Sequence, residues 1–160
     1  MMAFSKRGKL FMNEYIINEN TLAIVMIDKN TCMVIESENE FFINLSCIDV
    51  INNSCIYYGS SYEGRIEASK NLLGKDYKLP IIVSEFYDIL LFPIGSKQTD
   101  ICTWICLKKL DNYIIDGDMV EFIFKCNRRY SVLVGKKSFE AQLLKAYDLN
   151  RIIKNRCKNC

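Results

Sequence analysis

Residues 57–65 have the sequence YYGSSYEGR, and the predicted fold is built outward from this stretch. The residues before its glycine, Cys55–Tyr58, include one β-branched and two aromatic side chains, which is typical of the end of a strand. Gly59 then permits a turn that a residue with a Cβ would resist. The stretch therefore predicts a strand that ends in a tight turn.

A helix is predicted directly after the turn. Ser60 is a favourable N-cap, and Glu63 three residues later completes a Ser-x-x-Glu capping box, in which each side chain bonds the other residue's backbone N–H. Apolar residues then recur at mostly helical spacing as far as Gly74, which can close the helix in a left-handed conformation. We therefore predict a helix over about residues 61–73.

Most of the remaining chain is predicted to be strand, because short β-branched and aromatic runs alternate with polar turns. Upstream, the pattern predicts a hairpin at 15–27, strands at 32–36 and 41–45, and a turn or short strand at 49–53. Downstream, it predicts strands at 79–83, 89–93 and 101–110, loops at 84–88 and 95–100, and hairpins around 116–117 and 125–129. Ser138 is predicted to cap a last helix over about 138–154. The fold class is therefore α+β, a mainly antiparallel β-sheet with one mid-chain helix and one C-terminal helix.

Length and composition favour one globular domain. The chain has 160 residues, 50% of them hydrophobic, which is enough to bury a core. We predict a flexible basic arm over 1–13, a single domain over 14–156 and a short tail over 157–160. No apolar run approaches the roughly 20 residues that span a bilayer, and no signal peptide is predicted. Eight cysteines without an export signal favour reduced thiols in the cytosol.

The residue types argue against an enzyme. The chain contains no histidine, which removes Ser-His-Asp and Cys-His catalysis and the commonest metal ligand. Cys157 and Cys160 have metal-like spacing, but no second pair accompanies them, so an incidental tail is favoured over a zinc or redox site. Asp116 and Asp118 belong to a predicted turn. We predict no catalytic residue, no metal and no cofactor.

Charge is distributed unevenly along the chain. Residues 1–127 hold 12 Lys and Arg against 17 Asp and Glu, whereas residues 128–160 hold nine against two. A cationic segment on a mildly acidic body attracts a polyanion, with nucleic acid favoured over an anionic membrane.

Several side chains are therefore candidates for DNA contact. Ser60, Ser61 and Arg65 flank a helix N-terminus that could bind a backbone phosphate, although an ordinary capped helix with an ion-paired arginine has the same pattern. Lys125, Arg128 and Arg129 form a hairpin tip that could enter a minor groove or remain a solvated turn. Phosphate contacts are also predicted for the more scattered cations Lys70, Lys108, Lys109, Lys136, Lys137, Lys145, Arg151 and Lys154. Core packing is favoured over base stacking for a group of aromatic residues: Trp104, Tyr57, Tyr58, Phe92 and Phe122.

The motif at 57–65 resembles the signature of the ComK-type competence transcription factors of Gram-positive bacteria. Further segments resemble the family in the same order along the chain: EYIIN at 14–18, PIIV at 80–83, LLFP at 90–93, C-x-WI at 102–105 and SFE-x-Q at 138–142. The resemblance covers about residues 14–156. It departs from longer family members beyond Arg156, where Cys157 and Cys160 follow.

The resemblance implies a transcriptional activator of DNA-uptake genes. Such proteins bind A·T-rich boxes through the minor groove as pairs of dimers, bend the DNA, and are controlled by an adaptor and a Clp-type protease. On this basis we predict a cytoplasmic, nucleoid-associated, non-enzymatic regulator that binds A·T-rich double-stranded DNA as a homo-dimer or tetramer. The alternative is a protein-interaction module or degenerate regulator without DNA binding.

Overall fold

The computed structural model describes residues 2–4, 10–95 and 102–158. The described strands are β1 (Met2–Phe4), β2 (Leu10–Met12), β3 (Thr21–Asp28), β4 (Thr31–Glu36), β5 (Glu40–Ile43), β6 (Ile81–Ser84), β7 (Ile89–Gly95), β8 (Cys102–Cys106), β9 (Leu110–Asp116), β10 (Met119–Phe124) and β11 (Arg129–Leu133). The described α-helices are α1 (Cys47–Tyr57), α2 (Tyr62–Leu73) and α3 (Lys136–Lys158), and a 3-10 turn (Leu107–Lys109) links β8 to β9.

The described strands form two sheets. The larger has the order β1-β2-β5-β4-β3-β8-β7-β6, and every pair in it is antiparallel except β2 with β5. The smaller is the antiparallel meander β11-β10-β9. The predicted α+β class, with its mid-chain and C-terminal helices, is therefore confirmed.

Two hydrophobic cores lie on opposite faces of the large sheet, because successive side chains of a strand point to opposite sides. Ala23 and Val25 face the core that includes α3 and the small sheet, whereas Ile24 between them faces the core that includes α1. In the first core the ring of Phe139 packs edge-on against Phe122, with the centroids 5.5 Å apart. The result is a layered arrangement in which α1 and the first half of α2 cover one face and α3 with the small sheet covers the other. The end of α2 reaches the core that contains α3 through Leu72 and Leu73.

The predicted strand ending at Tyr58 and the turn or strand at 49–53 are wrong, because residues 47–57 form α1 and Tyr58 is the residue that follows it. Ser46 caps this helix, and its Oγ accepts a hydrogen bond from the N–H of Asp49 at 3.0 Å. Cys47, Val50, Ile51, Ser54 and Cys55 recur at helical spacing and are buried against the sheet. Burial of this stripe overrides the strand propensity of the individual side chains.

The predicted mid-chain helix is confirmed, but its cap lies one residue later than the sequence suggests. The Oγ of Ser61 accepts the N–H of Gly64 at 3.0 Å, so Gly64 rather than Glu63 stands three residues after the cap. Glycine has no side chain that could complete a capping box. Gly74 ends the helix with φ 62°, the predicted left-handed conformation.

The predicted hairpin at 15–27 has only its second strand, β3. The segment before it is bonded to α1 instead, since the N–H of Ile17 donates to Ser54 Oγ at 2.9 Å and Tyr58 Oη donates to the carbonyl of Ile17 at 2.7 Å. A backbone bond from the N–H of Thr21 to the carbonyl of Asn18 closes the predicted turn at 3.1 Å. Long-range contacts therefore replace the pairing that the local pattern suggests.

Two further boundaries differ from the prediction. The strand expected at 101–110 is interrupted by the 3-10 turn, after which the chain enters the small sheet as β9. The last helix begins at Lys136, not at a Ser138 cap, and continues to Lys158. Lysines in a first helical turn oppose the helix dipole, so the local sequence favours a later start than the one observed.

The predicted hairpins of the small sheet are confirmed. The turn joining β9 to β10 has positive φ at Gly117 and not at Asp118, the pattern of a type II′ turn rather than the I′ turn that Asp-Gly suggests. Within the arm predicted at 1–13, β1 and β2 pair antiparallel, and residues 5–9 lie outside the described residues. The polar loop predicted at 95–100 also lies outside them beyond Gly95.

Candidate nucleic-acid interface

Arg128 lies at the hairpin tip that the sequence predicts as a groove-entering element, but its side chain is committed within the protein. Its Nη1 donates to the carbonyl oxygens of Glu36 at 2.6 Å and Asn39 at 3.1 Å, and its Nη2 pairs with the carboxylate of Glu40. Only 24% of the side chain is exposed. Arg128 therefore fastens the small sheet to the β4–β5 turn, and a groove contact would have to break these bonds.

The other two cations of the tip are accessible. Arg129 pairs with Glu121 at 2.8 Å on the outer face of the small sheet, where 58% of its side chain is exposed. Lys125 is exposed and makes no ion pair with any described residue. Its N–H bonds the carbonyl of Lys109 at 2.9 Å, so these two lysines belong to one edge of the molecule.

The N-terminus of α2, where Ser60 and Ser61 are predicted to contact a phosphate, already has internal partners. The N–H of Tyr62 donates to the side-chain carbonyl of Asn52 at 3.0 Å, and that of Gly64 donates to Ser61 Oγ. A phosphate would have to displace these acceptors. The local geometry therefore suits the structural alternative, a capped helix.

Arg65 also has an internal partner. Its Nη1 bonds a carboxylate oxygen of Glu85 at 2.9 Å, and 19% of the side chain is exposed. Its Nε is the one buried side-chain nitrogen or oxygen of the described residues that lacks a hydrogen-bond partner. The ion pair links α2 to the turn between β6 and β7.

Four further predicted cations form surface ion pairs. Lys108 and Lys154 share the carboxylate of Asp88, at 3.8 and 3.2 Å. The other two pairs are Lys70 with Asp76 at 3.8 Å and Arg151 with Asp148 at 3.7 Å. Exposed pairs of this kind contribute about 0–1 kcal/mol, so these side chains can exchange a carboxylate for a phosphate at little cost.

Lys145 belongs to a cluster of lysines that the sequence alone does not bring together. Its Nζ donates to the carbonyl of Tyr77 at 2.7 Å and to Gln142 Oε1 at 2.9 Å. Burial, together with the charges of Lys75 and Lys78, lowers the pKa of Lys145. Neither Lys75 nor Lys78 is among the predicted contacts, because their charges lie in a loop far from Lys145 in sequence.

The C-terminal helix carries the cationic excess. Its sequence holds seven Lys and Arg against two carboxylates, and Lys136 and Lys137 in its first turn make no ion pair with the described residues. Two apolar side chains of α3, Leu144 and Tyr147, are also more than half exposed. The helix thus buries one face against the sheet and presents a mixed cationic and apolar face to solvent.

The aromatic residues divide between core and surface. Trp104, Phe92 and Phe122 are buried, as the sequence predicts, and Tyr58 is half-buried. Tyr57 is 69% exposed, so its predicted place in the core is wrong. The reason is that Tyr57 is the last residue of α1 and lies outside the buried face of that helix.

Most of the described thiols belong to the core: Cys32, Cys47, Cys55 and Cys106 are buried, whereas Cys126 and Cys157 are exposed. Contact with the Cys32 thiol and burial raise the pKa of Cys47, and burial raises the pKa of Cys102 to about 11. Protonated, buried thiols are poor nucleophiles and poor metal ligands.

Over residues 10–95 and 102–158 no three Cys, Asp or Glu side chains are grouped to hold a metal ion, and Cys160 lies outside this part. No described helix is long and apolar enough to cross a bilayer.

Comparison with known proteins assigns this chain to a family. The family described as ComK protein matches residues 12–158. The chain belongs to the ComK family. Competence transcription factor from Bacillus subtilis (strain 168) is 28% identical over 136 residues, which cover 82% of this chain and 71% of that protein. No solved structure matches the chain.

The ComK match covers every element from the end of β2 to the end of α3. It includes the motif at 57–65, whose Tyr58 and Arg65 contact the β6–β7 turn. The resemblance that the sequence motifs suggest is therefore confirmed over the whole described domain.

Proposed function

We propose that this protein is a transcriptional activator of competence genes that binds A·T-rich duplex DNA through the minor groove. The observation that carries the proposal is the ComK family match over residues 12–158, together with the name of the Bacillus subtilis relative. A protein of this kind regulates by binding, not by catalysis, and acts in the cytoplasm at the nucleoid. We further propose that it binds as a homo-dimer or tetramer and that an adaptor with a Clp-type protease sets its level.

The distribution of charge supports a DNA partner. Lys and Arg neutralise backbone phosphates and release counterions, which gives affinity without sequence information. The predicted cations best placed for this have no ion pair with the described residues or only an exposed one: Lys70, Lys108, Lys109, Lys125, Arg129, Lys136, Lys137, Arg151 and Lys154. The minor groove mainly distinguishes A·T from G·C pairs, so groove width and DNA deformability would supply much of the specificity.

A binding titration tests the proposal. Fluorescence anisotropy with matched A·T-rich and G·C-rich duplexes, at several salt concentrations, should give tighter binding to the A·T-rich duplex and an affinity that falls as salt rises. A minor-groove drug should compete with the protein. Equal affinity for both duplexes, or binding that does not depend on salt, would contradict it.

A double substitution adds a residue-level test. Lys136→Ala with Lys137→Ala removes two exposed cations, and the slope of log affinity against log salt should become shallower by about 0.9 for each phosphate that is no longer neutralised. The matched control is Lys29→Ala, which removes an exposed cation from the β3–β4 turn of the acidic body. An unchanged slope in the double variant would show that the first turn of α3 does not contact the DNA.

The alternative, a protein-interaction module without DNA binding, is favoured by one observation. Arg65 and Arg128, two candidate DNA contacts, are held in ion pairs within the protein. Absence of binding to any duplex, in a folded preparation, would support this alternative and refute the activator proposal.

A further inference from the structure

The turn between β6 and β7 displays an aromatic ring in water. Phe86 is 87% exposed, the highest value for a large hydrophobic side chain over residues 11–95 and 102–158. Its ring packs edge-on against Tyr87 of the same turn, with the centroids 4.8 Å apart. A phenyl ring exposed in this way forgoes the stabilisation that burial gives, and the packing of this domain does not account for its position.

The backbone of this turn is well defined. The N–H of Asp88 donates to the carbonyl of Glu85 at 3.2 Å, and the N–H of Tyr87 donates to Ser84 Oγ at 3.2 Å. Asp88 has φ 56°, a left-handed conformation that costs free energy in a non-glycine residue. Phe86 and Tyr87 are thus the two central residues of a closed hairpin loop.

Side chains from four other elements brace the loop. Arg65 of α2 binds Glu85, and Tyr58 after α1 packs its ring edge-on against Tyr87 at 5.8 Å. Lys108 of the 3-10 turn and Lys154 of α3 both bind Asp88. The ion pair of Arg65 and the ring contact of Tyr58 hold the loop in place, whereas the exposed lysine pairs with Asp88 can open toward a phosphate. The ring at the tip has no partner outside the loop among the described residues.

Three cations contact the loop that carries the ring, and Glu19 lies on the side of the loop where Tyr58 meets Tyr87. Asp88 is shared by two lysines, and Glu85 is neutralised by Arg65, so the carboxylates of the loop are outnumbered by the cations bound to them. Lys154 lies in the last turns of α3, which also carry Arg151, Arg156 and Lys158. An exposed aromatic ring beside such a group of cations suits a nucleic acid, because every base offers a face for stacking and every phosphate a negative charge.

We propose that Phe86 stacks into a base step of the bound duplex, with Tyr87 behind it and with Lys108 and Lys154 on the flanking phosphates. The proposal rests on the proposed DNA-binding function and adds the element that contacts bases. Apolar side chains that enter a base step unstack it and kink the duplex. Tyr58 and Arg65 of the 57–65 motif act as positioning residues that hold the loop in place for this contact.

The test measures base unstacking and affinity on the same duplexes. An A·T-rich duplex carries 2-aminopurine at one position at a time, and its fluorescence rises where stacking is disrupted. The wild-type protein should raise the signal at one step, and Phe86→Ala should abolish that rise and weaken binding about 5- to 150-fold, the range expected for one base–aromatic stack. Phe86→Leu should retain much of the signal, since leucine also serves as an apolar wedge.

A matched control removes an apolar side chain elsewhere. Leu133→Ala deletes an exposed side chain of the small sheet, 57% accessible, and should change neither signal nor affinity. Unchanged urea midpoints for all three variants show that each protein is folded, because both side chains lie on the surface.

Three outcomes would overturn the proposal, and they differ from one another. If the wild type binds the duplex and Phe86→Ala gives the same 2-aminopurine signal and the same affinity, stacking by Phe86 is excluded. The DNA-binding function then stands. No binding of the wild type to any duplex refutes the DNA-binding function and the stacking together. In the third outcome, Phe86→Ala loses affinity and also loses self-association in sedimentation, while the wild type gives no local unstacking signal. The loop is then a contact between copies of this chain.

Discussion

Arg128→Ala, compared with Arg129→Ala at the same hairpin tip, tests whether Arg128 has a structural role and Arg129 the proposed role in DNA binding. The substitution removes two hydrogen bonds to backbone carbonyls, at 2.6 and 3.1 Å, and the pair with Glu40. Each hydrogen bond contributes about 0.5–1.5 kcal/mol net, and a partly exposed ion pair about 0–1 kcal/mol. We therefore expect the free energy of unfolding to fall by about 1–4 kcal/mol, with about 2.5 kcal/mol as the central value.

Urea denaturation followed by circular dichroism measures this change in stability. With a slope of about 2–3 kcal/mol/M for a domain of this size, the midpoint should fall by about 1 M while the slope stays unchanged. The neighbouring Arg129→Ala is the matched control, because it removes an arginine of the same tip whose pair with Glu121 is mostly exposed. It should cost no more than about 0.5 kcal/mol.

DNA affinity gives the second readout. Under conditions where both variants are folded, Arg128→Ala should bind the A·T-rich duplex as the wild type does, whereas Arg129→Ala should bind more weakly and with a smaller salt slope. Equal stability losses in the two variants would refute the structural role of Arg128. So would an Arg128→Ala protein of wild-type stability that no longer binds DNA.

Three further substitutions test the local geometry. Ser61→Ala should lower the free energy of unfolding by about 0.5–2 kcal/mol, because it removes a helix cap, and Ser60→Ala should lower it clearly less. The reverse order in urea denaturation would place the cap at Ser60. Ser54→Ala leaves the buried N–H of Ile17 without its acceptor and should cost about 1–3 kcal/mol, a loss that a wild-type melting temperature would exclude. In Gly59→Ala the added Cβ has no atom within 4 Å, but the residue must adopt φ 93°, which disfavours any side chain. Thermal melts should therefore show a loss of about 1–2 kcal/mol in the free energy of unfolding. Unchanged stability would contradict the assigned backbone conformation.

Strands and turns of the domain were largely predictable from the sequence, because their signals are local. The β-branched runs at β4, β6 and β7 and the glycine turn before β10 predict both the element and its place. α1 was missed because its residues have strand propensity one by one, and only the buried stripe against the large sheet makes it helical.

The candidate site was less predictable, because charge along the chain does not determine which cations are free. Lys125 and Arg128 belong to one short loop, yet one is exposed and the other is bonded to the distant β4–β5 turn. Lys75 and Lys78 approach Lys145 only because the loop after α2 lies against α3. Phe86 gave no sequence signal, since an apolar residue in a loop is more often a packing residue than an exposed one.

The fold class, the family and the cationic character of the last fifth of the chain follow from the amino-acid sequence alone. These properties depend on local composition, on motif order and on net charge, all of which can be read without coordinates. Folding determines which Lys and Arg side chains are bonded within the protein and which remain accessible to a ligand, and it places the β6–β7 turn with Phe86 beside the end of α3. Coordinates are needed for this because ion pairing and exposure depend on distances between residues far apart in the chain, such as Arg128 and Glu36.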